Sequence, residues 1–154
     1  SMALENVYWH FSTKNYASKE AFNEAVTAHN DEMATALERE SAWNPEAIIA
    51  KGNTVKIQYE AWVKDGGDLQ DNEALAECDS DAFEAEAEDD LYQVEIVATL
   101  NADNGMHFTA LELLFKAHHQ QANKMLGDHV FFEGMGFDEE DSAGIAIYYV
   151  ACGS

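Results

Sequence analysis

The stretch Thr54-Val-Lys-Ile-Gln-Tyr-Glu-Ala-Trp-Val63 alternates apolar and polar side chains, with Trp62 as the one apolar residue on the polar face. Successive side chains of a strand point to opposite faces, so the odd-numbered residues form one apolar face and Lys56, Gln58 and Glu60 lie on the other. This period of two predicts a strand with one face on a core and the other in water. Such a strand needs paired neighbours and a layer of helix over its apolar face.

Four other segments have the composition expected of those neighbours. Residues 91–100 alternate in the same way, and residues 7–11 alternate around Trp9. Near the C-terminus, residues 130–137 and 145–151 are rich in aromatic and β-branched side chains. The polar residues 138–142 between them predict a surface hairpin loop.

Two longer segments have the three- and four-residue spacing of amphipathic helices. The first follows Ser18, a residue type that caps helix N-termini, and runs to about residue 37. The second begins with Thr109-Ala-Leu-Glu112, a capping box in which the hydroxyl and the carboxylate each accept a backbone N–H, and runs to about residue 126. Asn44-Pro45 further predicts a short helical turn over 45–51.

The predicted order of elements is strand, helix, strand, strand, helix, strand, strand. The first six match the ferredoxin-like βαββαβ arrangement, and the last is an extra C-terminal strand. We therefore expect an α+β fold in which an antiparallel sheet carries both helices on one face. The length suits a single domain spanning residues 1–154. Ser1, which precedes Met2, is interpreted as a cloning remnant.

Composition restricts the possible partners. Thirty acidic residues against eight basic ones give a net charge of -22, and a hydrophobic content of 47% is too high for a disordered polyanion. This charge repels nucleic acid and anionic membranes and attracts basic proteins. The two cysteines lie outside any metal-ligand spacing, and no apolar run approaches the roughly 20 residues that span a bilayer. These features favour a cytoplasmic location.

The most unusual segment is the acidic insertion, residues 65–90, between the second and third predicted strands. It contains no Lys or Arg and twelve of the acidic residues: Asp65, Asp68, Asp71, Glu73, Glu77, Asp79, Asp81, Glu84, Glu86, Glu88, Asp89 and Asp90. In a helix, these carboxylates would follow one another about every 3 Å, close to the roughly 3.4 Å phosphate spacing of a DNA strand. In an extended chain the spacing more than doubles.

We therefore expect a non-enzymatic protein that binds a basic protein partner through the acidic insertion, as a nucleic-acid mimic or otherwise. Inhibitors and immunity proteins that neutralise basic nucleases are comparable in composition, which is an analogy and not a family resemblance. A solvated insertion, or the general acidity of a salt-adapted host, explains the same charge without any specific partner.

The alternative hypothesis is a small dimeric enzyme or ligand-binding domain with a pocket near His29, His118 and Glu133. The two histidines fall on the apolar stripes of the two helices, where they could meet over one sheet face and act with Glu133 as acid and base. A histidine on such a stripe is more often a core residue. Strand alternation also points Glu133 toward water, together with Phe131.

No sequence signature supports a cofactor, a metal or a catalytic residue. The chain lacks G-x-S-x-G, G-x-G-x-x-G and P-loop patterns. Asp79-Ser-Asp81 begins like a calcium loop, but Phe83 occupies the next ligand position. Aromatic side chains on the open face of the predicted sheet, with Tyr8, Trp62 and Phe131 among them, predict a patch for homodimer formation.

Overall fold

A computed structural model describes residues 2–154, with the exception of the side chain of Asp138, and Ser1 lies outside the described residues. The strands and α-helices follow in chain order: β1 (Met2–Ala3), α1 (Lys19–Leu37), β2 (Ile48–Lys51), β3 (Thr54–Val63), β4 (Glu73–Leu75), β5 (Tyr92–Asn101), β6 (His107–Thr109), α2 (Ala110–Gln121), β7 (Phe131–Glu140) and β8 (Ala146–Gly153). Short 3-10 helices occupy parts of the acidic insertion: Gly66–Asp68, Glu77–Asp79 and Ala82–Glu84.

The larger sheet has the strand order β1-β7-β8-β3-β5-β4, and β2 pairs separately with β6. Neighbours in the larger sheet are antiparallel except for β3 and β8, which are parallel. The α+β class with a mostly antiparallel sheet is thereby confirmed. The exact ferredoxin-like topology is not confirmed, because the larger sheet contains one parallel pair among antiparallel ones and residues 7–11 lie at the edge of this sheet.

The first predicted strand, residues 7–11, does not form as a regular strand. Val7, Trp9 and Phe11 are buried and His10 is exposed, as the alternation predicted. The backbone nevertheless meets β7 at one antiparallel bridge, between His10 and Phe131. Left-handed backbone between β1 and this bridge, at residues 4 and 6, interrupts a longer pairing.

Both predicted helices form, and their N-termini are capped as expected. The Ser18 hydroxyl accepts the N–H of Ala21 at 3.1 Å, and the Thr109 hydroxyl accepts the N–H of Glu112 at 3.1 Å. The second half of the predicted capping box is wrong, because the Glu112 carboxylate accepts the N–H of Asp103 at 2.9 Å. This bond ties α2 to the turn that precedes β6.

Three predicted boundaries are wrong, each because a distant partner outweighs local sequence preference. The predicted helical turn at 45–51 contains β2, which pairs with β6. Helix α2 ends before residue 126, and the following turn brings the carbonyl of Met125 to the N–H of Trp62 at 2.8 Å. Strand β7 continues through the predicted loop as far as Glu140, so the hairpin turn lies over 141–145.

The core lies between the helices and one face of β3 and β5. The odd-numbered residues of β3 and the even-numbered residues of β5 from 94 to 100 are buried. Phe22 of α1 packs against Phe115 and His118 of α2, with ring centroids 5.5 and 5.4 Å apart, so both helices join one core. The other face of β3 carries exposed and half-buried side chains, as its alternation predicted.

Candidate functional site

The acidic insertion follows a fixed path along the outer edge of β5. Strand β4, within the insertion, pairs with β5 in an antiparallel register. Main-chain bonds extend this pairing on both sides: the N–H of Thr99 reaches the carbonyl of Asn72, and the N–H of Ala76 reaches the carbonyl of Glu95, each at 2.9 Å. The backbone of this segment is therefore held by the sheet rather than by its own charged side chains.

Side chains hold the second half of the insertion. The Asp79 carboxylate accepts the N–H of Glu95 at 2.7 Å, and the Phe83 ring packs edge-on against Tyr92 with centroids 5.1 Å apart. A tight turn at 89–90, where both residues have positive φ, returns the chain to β5. Because residues 65–90 are all described and contain no α-helix, the helical carboxylate spacing that would resemble DNA phosphates is absent.

Most carboxylates of the insertion face solvent. Ten of the twelve predicted binding residues are exposed: Asp65, Asp68, Asp71, Glu77, Asp81, Glu84, Glu86, Glu88, Asp89 and Asp90. Asp65 and Asp68 each accept one backbone N–H at 2.7 Å, which orients them without neutralising them. Among the side chains that the structure describes, no exposed member of the insertion forms an ion pair. The insertion therefore presents uncompensated negative charge.

Glu73 is buried and does not belong to this surface. Its carboxylate lies 2.8 Å from the Lys124 ammonium, and the two side chains are 0% and 2% exposed. The Tyr59 hydroxyl and the N–H of Gln70 donate to the same carboxylate. Burial alone would raise the pKa of Glu73, but the bonds from Lys124, Tyr59 and Gln70 lower it below its usual value. Glu73 is thus a structural residue, out of reach of a partner at the surface.

His118 is a core residue whose two ring nitrogens are both bonded. Nδ1 accepts the indole N–H of Trp9 at 3.2 Å, so the ring proton lies on Nε2 and is donated to the Lys14 carbonyl at 2.7 Å. Burial lowers the pKa of His118 despite the bond to Lys14. The neutral imidazole is therefore satisfied in place and has no free nitrogen for a substrate.

Two members of the predicted set of His29, His118 and Glu133, the two histidines, share one neighbour, Trp9. Both imidazoles pack on the Trp9 ring, with centroids 5.8 Å and 5.7 Å away, and no direct contact between them occurs among the described ring pairs. Burial lowers the pKa of the half-buried His29. Glu133 is exposed on β7, as alternation predicted, and lies near Cys152, whose pKa it helps to raise.

The cysteines are both free, with Cys78 exposed and Cys152 half-buried. Burial raises the pKa of Cys152 to about 12, so its thiolate is scarce near neutral pH and nucleophilic catalysis by this thiol is unsupported. Within residues 2–154 as described, no group of three or more His, Cys, Asp or Glu side chains could hold a metal ion. No helix in that range is both long enough and apolar enough to cross a membrane.

The aromatic patch predicted for the open sheet face is partly covered. Tyr8 and Trp62 are half-buried. Phe131 is 53% exposed and packs against His10, with centroids 6.2 Å apart. Homodimer formation through this patch stays a prediction.

No protein-family model, no curated protein and no solved structure matches this chain.

Proposed function

We propose that this protein binds a basic protein partner through the acidic insertion and does not itself catalyse a reaction. The observation that supports the proposal is the set of ten exposed carboxylates on one ordered segment. In the described part of the chain, the protein's own Lys side chains pair with none of them. A free array of charges of one sign attracts an oppositely charged partner from a distance.

The fixed backbone of the insertion favours binding as well. A flexible acidic loop would lose conformational entropy when a partner ordered it, whereas a segment already held by β5 loses less. Exposed charges of this kind mainly raise the association rate, and their effect falls with added salt. We therefore expect an association rate that drops steeply with ionic strength and a dissociation rate that changes little.

General acidity of a salt-adapted host is the competing explanation, and the distribution of charge argues against it. The acidic insertion holds twelve acidic residues in 26 positions, whereas the other eighteen (30 minus 12) are spread over 128 positions (154 minus 26). Adaptation of the whole surface gives no reason for this concentration. Under general acidity, removal of acidic residues beside β5 should affect partner association no more than removal of the same number elsewhere.

Two variants with the same net charge separate these explanations. The insertion variant replaces five exposed carboxylates by amides: Glu77→Gln, Asp81→Asn, Glu84→Gln, Glu86→Gln and Glu88→Gln. The helix variant does the same to five exposed carboxylates on and just after α1: Glu20→Gln, Glu24→Gln, Asp31→Asn, Glu32→Gln and Glu38→Gln. Each variant loses five negative charges, so any effect of total charge is equal in both.

The measurement begins with capture of a partner from a lysate of the source cells, followed by stopped-flow association of the purified pair. We expect the insertion variant to lose about tenfold or more of the association rate at roughly 50 mM salt, and the helix variant to lose much less. Equal losses of association rate in the two variants would show that total charge alone, and not the acidic insertion, attracts the partner. A partner retained equally at low and high salt would remove the electrostatic basis of the proposal.

Within this proposal, the finer hypothesis is an inhibitor or immunity protein that neutralises a basic nuclease. Titration of the purified partner's nuclease activity tests it directly. Loss of activity at one equivalent of this protein, and its return with the insertion variant, is the expected result. Full nuclease activity in the saturated complex would restrict the function to binding without inhibition.

A further inference from the structure

Strands β3 and β8 form a fork in the sheet. The two parallel strands pair only over residues 56–58 and 147–149. Farther along β3, the N–H of Trp62 instead meets the carbonyl of Met125, where the chain that follows α2 enters the gap. Glu60 lies between these two points, so it borders an opening in the sheet.

A cavity of about 330 Å³ lies at this opening, and we name it the fork cleft. Its walls include Tyr59 and Glu60 of β3, Tyr149 and Cys152 of β8, and Gln93 of β5. The volume lies at the lower end of the roughly 300–1,000 Å³ typical of small-molecule sites. The fork cleft therefore suits a small ligand.

The charge beside the fork cleft is negative. The Glu60 carboxylate accepts a bond from the Gln93 amide at 2.7 Å, and the strand register places Glu95 directly opposite Glu60. Like charges directly opposite one another destabilise a sheet. Burial, together with the charges of Glu60 and Asp79, raises the pKa of Glu95. No Lys or Arg is among the described residues that line the fork cleft, and its one imidazole, His129, lies 3.2 Å from the Asp128 carboxylate. A bound cation would therefore relieve the repulsion between Glu60 and Glu95.

Tyr149 provides an aromatic wall next to this charge. It pairs with Gln58, two residues before Glu60, so its ring and the Glu60 carboxylate are diagonal neighbours on one face of the sheet. The Tyr149 side chain is 40% exposed, which leaves part of the ring open to a ligand. A carboxylate beside an exposed aromatic ring combines ion pairing with a cation–π contact.

Other ligand classes fit this arrangement poorly. An anion would meet Glu60 and Glu95 in a protein that already carries a charge of -22. A metal ion would lack ligands, because the described residues contain no suitable group of three. The protonated thiol of Cys152 does not act as a nucleophile near neutral pH.

We propose that the fork cleft binds a small organic cation, whose ammonium or guanidinium group contacts both the Glu60 carboxylate and the face of the Tyr149 ring. The proposal is independent of the acidic insertion, since none of the ten exposed insertion carboxylates lines the cavity. The cation has two possible sources, a free amine or the Lys or Arg side chain of another protein. The same chemistry recognises both.

Titration of the isotope-labelled protein by NMR tests the proposal with three probes. The probes are agmatine, the acetylated and amidated peptide Gly-Gly-Arg-Gly-Gly, and the same peptide with neutral citrulline in place of arginine. We expect saturable binding of at least one cationic probe with roughly millimolar affinity, and shifts centred on Tyr149 and Cys152. Binding of agmatine alone identifies a free amine as the ligand, and binding of the arginine peptide identifies a side chain.

Three variants establish whether the binding is local. Glu60→Gln keeps the bond to Gln93 and removes the charge, so affinity should fall about tenfold or more. Tyr149→Leu should weaken binding roughly two- to fivefold through loss of the cation–π contact. Glu24→Gln removes an equal charge from the exposed face of α1, outside both the fork cleft and the acidic insertion, and should change affinity less than about twofold.

Equal losses in Glu60→Gln and Glu24→Gln would overturn the proposal, because they would show attraction by the net charge alone. Equal affinity for the citrulline peptide would overturn it as well, since no cation would then be recognised. The proposal would also be overturned if neither cationic probe saturated the protein up to about 10 mM. Circular dichroism and urea unfolding of each variant verify that it is folded before titration.

Discussion

Replacement of Lys124 by methionine tests the buried ion pair that anchors the acidic insertion. The Lys124 ammonium and the Glu73 carboxylate are 2.8 Å apart, and both side chains are almost completely buried. Methionine preserves most of the aliphatic volume but removes the one cation beside Glu73, while the Tyr59 hydroxyl and the Gln70 N–H continue to donate to its carboxylate. The variant therefore isolates the effect of an uncompensated buried charge.

The expected loss of stability follows from this geometry. Removal of one partner of a buried ion pair costs about 3–5 kcal/mol, because the other charge is left in a medium of low polarity. Two hydrogen bonds to Glu73 remain, so we expect a value near the lower end, about 3 kcal/mol at pH 7. For a domain of this size that is a large fraction of the roughly 5–15 kcal/mol of total stability.

The pH dependence gives a sharper test of the same variant. The pKa of Glu73 is lowered in the folded wild type, so its contribution is present above the unfolded pKa near 4.3 and is lost as the pH falls through the folded pKa. Without Lys124, burial dominates and the pKa of Glu73 rises. The carboxylate of the variant then takes up a proton in mild acid, and the difference from wild type should shrink between about pH 7 and pH 4.

Urea unfolding at both pH values measures this difference, and Lys19→Met provides the matched control. Lys19 pairs with Asp103 at 2.9 Å, but the side chains are 38% and 53% exposed. Loss of Lys19 makes the net charge more negative by one, as loss of Lys124 does, and should cost no more than about 1 kcal/mol. If Lys124→Met is no more destabilising than Lys19→Met, or if its effect is the same at both pH values, the interpretation of Glu73 as a buried ion is wrong.

Three further predictions concern single side chains. Glu38 ends α1 with left-handed backbone at φ 53°, so Glu38→Gly should stabilise the protein by about 0.5–1 kcal/mol in urea unfolding, and Glu38→Ala should not. Burial lowers the pKa of His118, so the free energy of unfolding should fall as the pH drops below about 6.5. In urea unfolding, His118→Gln should reduce this pH dependence, whereas replacement of the exposed His129 by Gln should leave it unchanged. A thiol reagent at pH 8 should modify exposed Cys78 quickly and Cys152 slowly, and Cys78→Ser should abolish the fast phase.

Periodicity in the sequence predicted which side chains point inward, but not which strands are neighbours. The alternation of residues 54–63 and 91–100 matches the buried faces of β3 and β5. The alternation of residues 7–11 also matches their burial, yet their backbone lies at the sheet edge and bridges β7 once. Burial depends on local spacing, whereas strand order depends on contacts between residues far apart in the chain.

The missed strand β2 shows the same limit. Asn44-Pro45 has the residue types of a helix start, but residues 48–51 gain backbone partners in β6, more than fifty residues later. The capping box is a related case. Thr109 caps α2 as predicted, whereas Glu112 finds the N–H of Asp103 in a turn whose position local sequence could not give.

The difference between local spacing and distant contacts also explains which site residues could be predicted. Exposed carboxylates of the acidic insertion follow from composition alone, because a run of acidic residues without a base is rarely buried. Glu73 could not be separated from them, since its partner Lys124 lies 51 positions away (124 minus 73). One signal was available. Lys124 is the only Lys or Arg after residue 116, and it follows an amphipathic helix.

The placement of the basic residues separates the two proposed sites from the rest of the acidic surface. Lys19, Lys56, Lys116 and Lys124 form ion pairs that join distant segments. In the described part of the chain, none of these four contacts an exposed insertion carboxylate or lines the fork cleft. The negative charge at both places therefore has no Lys or Arg counter-charge among the described residues.

The two sites should differ in how salt affects them. The exposed insertion acts over distances comparable to the screening length of about 8 Å at physiological salt, so its attraction weakens progressively as ions are added. The fork cleft acts through contact with Glu60 and Tyr149 inside a cavity, where partly buried pairs are screened much less. A cation that keeps its Glu60-dependent affinity under salt conditions that abolish partner association would therefore occupy a separate site.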